Sequence, residues 1–153
     1  MGSMKLLDYT TTCGFLPHAK CASVEDAVAR LVGALASAGE LGDPGSVVAE
    51  VMRREAEGST AIGGGLVIPH ARCAAVPAVR VAVATLAEPL DVPSDDGLPV
   101  DVVILLVGPD GDPRQMLRVL ARLARAVKSD AFRDGLRAAD DAGGLRAAFA
   151  KAI

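Results

Sequence analysis

The sequence predicts a single α/β domain, a mixed β-sheet flanked by helices on both faces. Three observations lead there. Apolar residues recur at helical spacing near the N-terminus, β-branched runs of strand length fill the middle, and helical spacing returns in the last third. The length of 153 residues falls within the roughly 100–200 residues of one domain. Hydrophobic residues make up 51% of the chain, which excludes a disordered, charge-rich polymer.

Ser23 opens the first helix, with Asp26 three residues on in a capping-box-like pattern. Ala27, Leu31, Ala34, Leu35 and Ala38 form its apolar stripe, and Gly39 is a natural stop. The second helix starts near Asp43-Pro44, with proline at an allowed first-turn position. Val47, Val48, Val51 and Met52 share one face. Arg53 and Arg54 fall in the last turn, where the helix dipole favours cations, and Gly58 ends the helix.

From Ser59 to His70 the pattern reads as a short strand, a glycine turn and a second strand. Pro69 has no N–H to give a sheet, so that strand ends there or lies on an edge. Val79–Leu86 is a β-branched strand. Val100–Val107 is a nearly continuous apolar run, as expected of a central strand covered on both faces. Between them, residues 88–99 carry three prolines and several acids, which suits a loop with at most a short strand. A turn from Gly108 to Pro113 opens the third long helix. Met116, Val119, Leu120, Leu123 and Val127 face inward there, and Arg114, Arg118, Arg122 and Arg125 face outward. Shorter helices follow around Phe132–Ala139 and Leu145–Ala152. The domain is expected to span residues 4–153, and Met1-Gly2-Ser3 reads as an expression remnant.

Composition narrows the function. Trp is absent and Tyr9 is the only tyrosine, which argues against a module that stacks nucleic-acid bases. The net charge of −3 supplies no basic field for phosphate backbones. Residues 1–109 hold seven Lys/Arg against thirteen Asp/Glu, and residues 110–153 hold nine against six. The arginines of that basic tail alternate with apolar residues at helical spacing, so they read as solvated faces. Cys13, Cys21 and Cys73 cannot all pair within one chain, and no signal-peptide pattern is present; both point to a reducing cytoplasm. No apolar run approaches the roughly 18 residues that span a bilayer.

Of two histidines, His70 stands out. It follows a strand and a proline beside Gly63-Gly64-Gly65, whose backbone can approach a ligand and offer consecutive N–H groups to phosphate oxygens. Neutral imidazole is a good nucleophile near pH 7. Competing chemistries are weaker. His18, His70 and the three cysteines lack metal-ligand spacing, so no metal is expected. A Cys73/His70 pair and a Ser59/His70/Asp101 set can both be drawn, but Cys73 reads as a small buried thiol and no G-x-S-x-G elbow is present. The glycine run is not followed by Gly-Lys-Ser/Thr, so it is no Walker loop. Leu16-Pro17-His18-Ala19-Lys20-Cys21 resembles Ile68-Pro69-His70-Ala71-Arg72-Cys73, but the likeness stops at six residues and reads as chance.

Arg54-Glu55, then Gly58-Ser59-Thr60-Ala61-Ile62-Gly63, then Gly65-Leu66-Val67-Ile68-Pro69-His70 resembles the signature of the fructose/mannitol-type enzyme IIA domains of the bacterial phosphotransferase system. Nitrogen-type enzyme IIA regulators share that signature. The resemblance implies a phosphoryl carrier without a cofactor, a phosphohistidine relay rather than a turnover enzyme on a small substrate. His70 would accept phosphate from an HPr-like phosphocarrier, Arg54 would face its oxygens, and Ser59 and Thr60 would donate hydroxyls to it. The implied acceptors are regulatory target proteins or the cysteine of a IIB domain, with no nucleic acid and no stable membrane insertion. Gly64, Ala61 and Ala71 depart from the motif mildly. Many relatives place a second histidine before the leucine that matches Leu117; here it is Met116. The expectation is therefore a nitrogen-type regulatory protein. A sugar-transport IIA, or a binding module of the same fold that no longer transfers phosphate, are the alternatives.

Overall fold

The computed structural model describes residues 5–152 of the chain, so the suggested remnant at residues 1–3 lies outside the described residues. After two 3₁₀ turns, Leu6–Tyr9 and Thr12–Gly14, the elements run β1 (Phe15–Ala19), α1 (Val24–Ser37), α2 (Pro44–Glu57), β2 (Ala61–Gly63), β3 (Leu66–Val67), β4 (His70–Arg72), β5 (Arg80–Leu90), β6 (Val100–Gly108), α3 (Arg114–Ala126), α4 (Asp130–Ala138) and α5 (Ala142–Phe149). The expected mixed sheet is present. Its strand order is β1-β5-β6-β3-β2, with β4 also paired to β6. β5 and β6 are antiparallel, whereas β1 on β5, and β3 and β4 on β6, are parallel.

β6 shows why the molecule has three layers. Its apolar run has no solvent face, and alternate residues point to opposite sides of the pleat. Val102, Ile104 and Leu106 pack with Met116, Val119, Leu123, Phe132, Leu136 and Phe149 of α3, α4 and α5. Val103, Leu105 and Val107 pack with Ala27, Leu31, Val47 and Val51 of α1 and α2.

The helices start as their caps dictate. Ser23 Oγ accepts the Asp26 N–H at 3.0 Å, and Asp43 Oδ1 accepts the Gly45 N–H at 3.1 Å. Gly39, at φ +76°, ends α1 in the left-handed conformation that glycine adopts without a Cβ penalty. Two strand expectations differ from the structure. β1 is an edge strand that the local pattern does not announce. β5 runs on to Leu90, which pairs with Val100, so the first part of the expected loop is strand.

Candidate functional site

β3 and β4 are one strand interrupted. Both pair with β6, and the register carries across the gap, from Leu66 opposite Val102 to His70 opposite Leu106. The gap is Ile68-Pro69, because Pro69 has no N–H with which to extend the ladder. Its carbonyl still accepts the Leu106 N–H at 3.0 Å, and Ile68 N–H donates to Thr60 O at 3.3 Å. The Ile68 carbonyl is turned to the histidine, with His70 Nδ1 2.8 Å from its oxygen. A carbonyl can only accept, so Nδ1 carries the proton. The neutral ring then keeps its lone pair on Nε2.

Ala71 enters the core against α1 and α2. Strand alternation puts His70 and Arg72 on the other face, at the sheet margin. There an open pocket of about 370 Å³ forms. Its walls come from the end of α2 (Glu50, Arg53, Arg54), β4 (His70, Arg72), the turn residue Asp110 and the start of α3 (Met116, Leu117). His70 is half-buried, neither sealed in the core nor distant from cations.

The three guanidiniums differ in what they hold. Arg53 is engaged with Glu50 at 2.6 Å and Glu57 at 2.8 Å. Its hydrogen bond holds the Glu50 carboxyl below the usual range. Arg72 Nη1 reaches only two backbone oxygens, of Asp110 at 3.4 Å and Gly111 at 3.3 Å. Arg54 makes no hydrogen bond or ion pair with any described residue. A half-buried cation without such a contact, lining the same pocket as an imidazole, suits an anion that arrives and leaves.

The structure therefore brings His70 and Arg54 together. It places Ser59 and Thr60 elsewhere: neither lines this pocket. Ser59 Oγ accepts the Ala61 N–H at 3.1 Å, and Thr60 gives its hydroxyl to Glu55 Oε1 at 2.7 Å. The glycine turn also stands apart. Gly63, Gly64 and Gly65 all have positive φ, as the tight hairpin requires. However, Gly64 N–H is taken by Asp96 Oδ2 at 2.8 Å, and the turn borders a separate hollow with Asp101, Arg133 and Arg137. Arg72 is the residue that motif reading passed over, and the period-2 spacing from His70 could have found it.

The competing constellations do not assemble. Asp101 is forked by Arg137 Nε at 3.0 and 2.9 Å, while Ser59 and His70 bond only their local backbone partners. Cys73 is buried, and burial pushes its thiol up to about 11. No group of three or more metal-ligating side chains occurs among the described residues. His18 sits on β1 at the far edge, with φ +50°, and its ring lies 3.3 Å from exposed Asp140. No described helix is long and apolar enough to cross a membrane.

Residues 11–152 match the family model described as "Phosphoenolpyruvate-dependent sugar phosphotransferase system, EIIA 2". The chain is 37% identical over 141 residues to a nitrogen regulatory protein of Bradyrhizobium diazoefficiens, covering 91% of this chain and 90% of that one. It is 35% identical over 138 residues to the 2-O-alpha-mannosyl-D-glycerate-specific EIIABC component of Escherichia coli; this covers 89% of this chain but only 21% of that longer protein. The crystal structure of nitrogen regulatory protein IIA-Ntr from Neisseria meningitidis superposes with a TM-score of 0.84 at 25% identity, over 94% of this chain and 98% of that one. Mannitol enzyme IIA of Escherichia coli, solved in complex with its phosphorylated enzyme IIB, shares the fold at a TM-score of 0.73 and 17% identity, over 90% of this chain and 94% of that one.

Proposed function

The chain belongs to the type 2 enzyme IIA family of the phosphotransferase system, and from that premise we propose that His70 Nε2 is the atom that takes and returns the phosphoryl group. The observation that carries this is the 2.8 Å bond from His70 Nδ1 to Ile68 O, which commits the proton to one nitrogen and frees the other as a nucleophile. The donor is an HPr-like carrier bearing phosphohistidine. The bond from phosphorus to His70 Nε2 forms as the bond from phosphorus to the donor nitrogen breaks. With a donor ring protonated at its other nitrogen, the donor leaves as neutral imidazole. His70 becomes a phosphoimidazolium whose Nδ1–H still faces Ile68 O, so no proton has to be relayed. Arg54 neutralises charge on the oxygens in transit, and Arg72 has only carbonyl contacts to give up in joining it.

The family-level likeness to nitrogen regulatory proteins over most of their length supports a regulatory carrier in the cytoplasm, whose phosphorylation state selects its protein partners. A doubly negative group in a pocket of three arginines and two acids reverses the local charge and so changes which surfaces fit. A second reading, transport, draws on the 35% identity to a sugar-specific relative and on the fold shared with an enzyme IIA that pairs with IIB.

The test is incubation with phosphoenolpyruvate, enzyme I and a carrier of the HPr type, followed by intact mass analysis. One acid-labile phosphoryl group is expected, lost in His70→Ala and retained in His18→Ala. No adduct with cognate partners overturns the proposal, and efficient onward transfer to a IIB cysteine selects transport over regulation.

A further inference from the structure

We infer that Glu55 is a positioning residue that sets the tautomer of His70. The inference takes its functional meaning from the reading of His70 as phosphoryl acceptor. It rests on a separate set of contacts, outside the pocket.

Glu55 lies half-buried in the last turn of α2. No lysine or arginine among the described residues pairs with it. Both its oxygens serve one residue instead: Oε2 accepts the Thr60 N–H at 2.8 Å and Oε1 accepts the Thr60 hydroxyl at 2.7 Å. A two-point grip removes the rotational freedom that a single bond would leave. It fixes the Thr60 peptide, whose carbonyl in turn accepts the Ile68 N–H at 3.3 Å.

Ile68 is thus tethered on its N–H side through Thr60. On the other side, Pro69 O is tethered to Leu106 N–H at 3.0 Å. Between those anchors the Ile68 carbonyl points toward His70 Nδ1 at 2.8 Å. The proline stiffens the step between carbonyl and ring.

Without the grip, the Ser59-Thr60 turn relaxes and the Ile68 peptide can rotate. The ring then loses its acceptor at Nδ1. A proton on Nε2, the other neutral form, blocks the lone pair that attacks phosphorus. Glu55 would therefore act on the chemistry through Thr60 and Ile68 without touching phosphate. The same geometry explains why the Thr60 hydroxyl is not aimed at the pocket: it is already spent on Glu55.

The experiment is ¹⁵N NMR of the imidazole nitrogens in the full, unphosphorylated chain, at a pH where His70 is neutral. Wild type should show a protonated Nδ1 and a pyridine-like Nε2. Glu55→Ala should move the population toward protonated Nε2 and slow phosphoryl acceptance about tenfold or more, as expected for a displaced reacting group. Glu55→Gln can still accept the Thr60 N–H and can donate to its hydroxyl oxygen, so it should restore both readouts. Thr60→Val should behave like Glu55→Ala, and Thr60→Ser like Glu55→Gln. If Glu55→Ala fails to fold, the Thr60 pair carries the test. An unchanged tautomer in a folded Glu55→Ala or Thr60→Val overturns the inference, as does a Glu55→Gln as damaged as Glu55→Ala. Absence of phosphorylation in wild type overturns the carrier reading instead, because the tautomer is read on the protein alone.

Discussion

Arg53 and Arg54 are adjacent in sequence and line one pocket, yet of the two only Arg54 lacks a partner among the described residues. Truncating Arg54 to alanine forfeits no ion pair in the resting protein. Its stability should stay within about 0.5 kcal/mol of wild type. The loss should appear in transfer. Phosphoryl charge spreads over three equatorial oxygens in the transition state. Removing one preorganised donor from such a site costs roughly 2.7–4 kcal/mol, or about 10²–10³ in rate. Arg54→Lys keeps the charge without the planar fork and should fall between, about tenfold slower, as expected for one lost charge-assisted hydrogen bond. Arg53→Ala breaks the contacts to Glu50 and Glu57 but should leave transfer close to wild type. The assay is single-turnover transfer from a phosphorylated carrier, quenched in alkali and counted by intact mass, with thermal melts alongside. Transfer within threefold of wild type in Arg54→Ala refutes the reasoning. So does an equal loss in Arg53→Ala, which would mean that the general field matters and the free fork does not.

Three further outcomes are expected. Gly65 has φ +80°, and a Cβ there would lie 2.5 Å from Arg137 Nη2 and 2.9 Å from Asp101 Oδ1. Gly65→Ala should therefore cost roughly 2–5 kcal/mol from the left-handed backbone and the displaced ion pair, lowering Tm by roughly 5–15 °C in a melt; Gly58→Ala, in open space, should change little. Thr85 Oγ1 accepts the His18 N–H at 2.8 Å, so Thr85→Val should cost about 1–3 kcal/mol in urea unfolding by stranding that donor, with Thr85→Ser close to wild type. Cys73 is buried with its thiol pushed up to about 11, so at pH 8 it stays protonated; Ellman's reagent should modify exposed Cys13 quickly and Cys73 only on unfolding.

The helices were legible because each signal is local. Ser23 and Asp43 cap where the sequence places them, and the stripes of α1 and α2 need no distant partner to be recognised. β1 was not legible. Phe15-Leu16-Pro17-His18-Ala19 has no alternation, and it is a strand because β5 lies beside it. The strand at Glu88-Pro89-Leu90 is likewise imposed from across the sheet by Val100. At the site, His70 stood out by its type and its place beside a glycine turn, whereas Arg54 could be named only through the family motif, since its position alone reads as a cation at a helix end. The roles of Ser59, Thr60 and Glu55 could not. A hydroxyl close in sequence to the candidate histidine reads as a phosphate donor until its actual acceptor is seen, and Glu55 reaches Thr60 around a helix end that no periodicity describes. Met116 packs as core while bordering the pocket, a dual position that only the fold reveals.

Pro17 in β1 and Pro69 ahead of β4 stand at opposite margins of the sheet. Pro17 lies in an edge strand, where a proline withholds a donor from any extended chain that would add to the rim. Pro69 withholds its donor on the inner side, toward β6, because its own carbonyl accepts the Leu106 N–H from that strand. The two look-alike hexapeptides therefore put the same Pro-His step to different use: one proline blunts an open rim, and the other removes a rung from the seam just ahead of the imidazole.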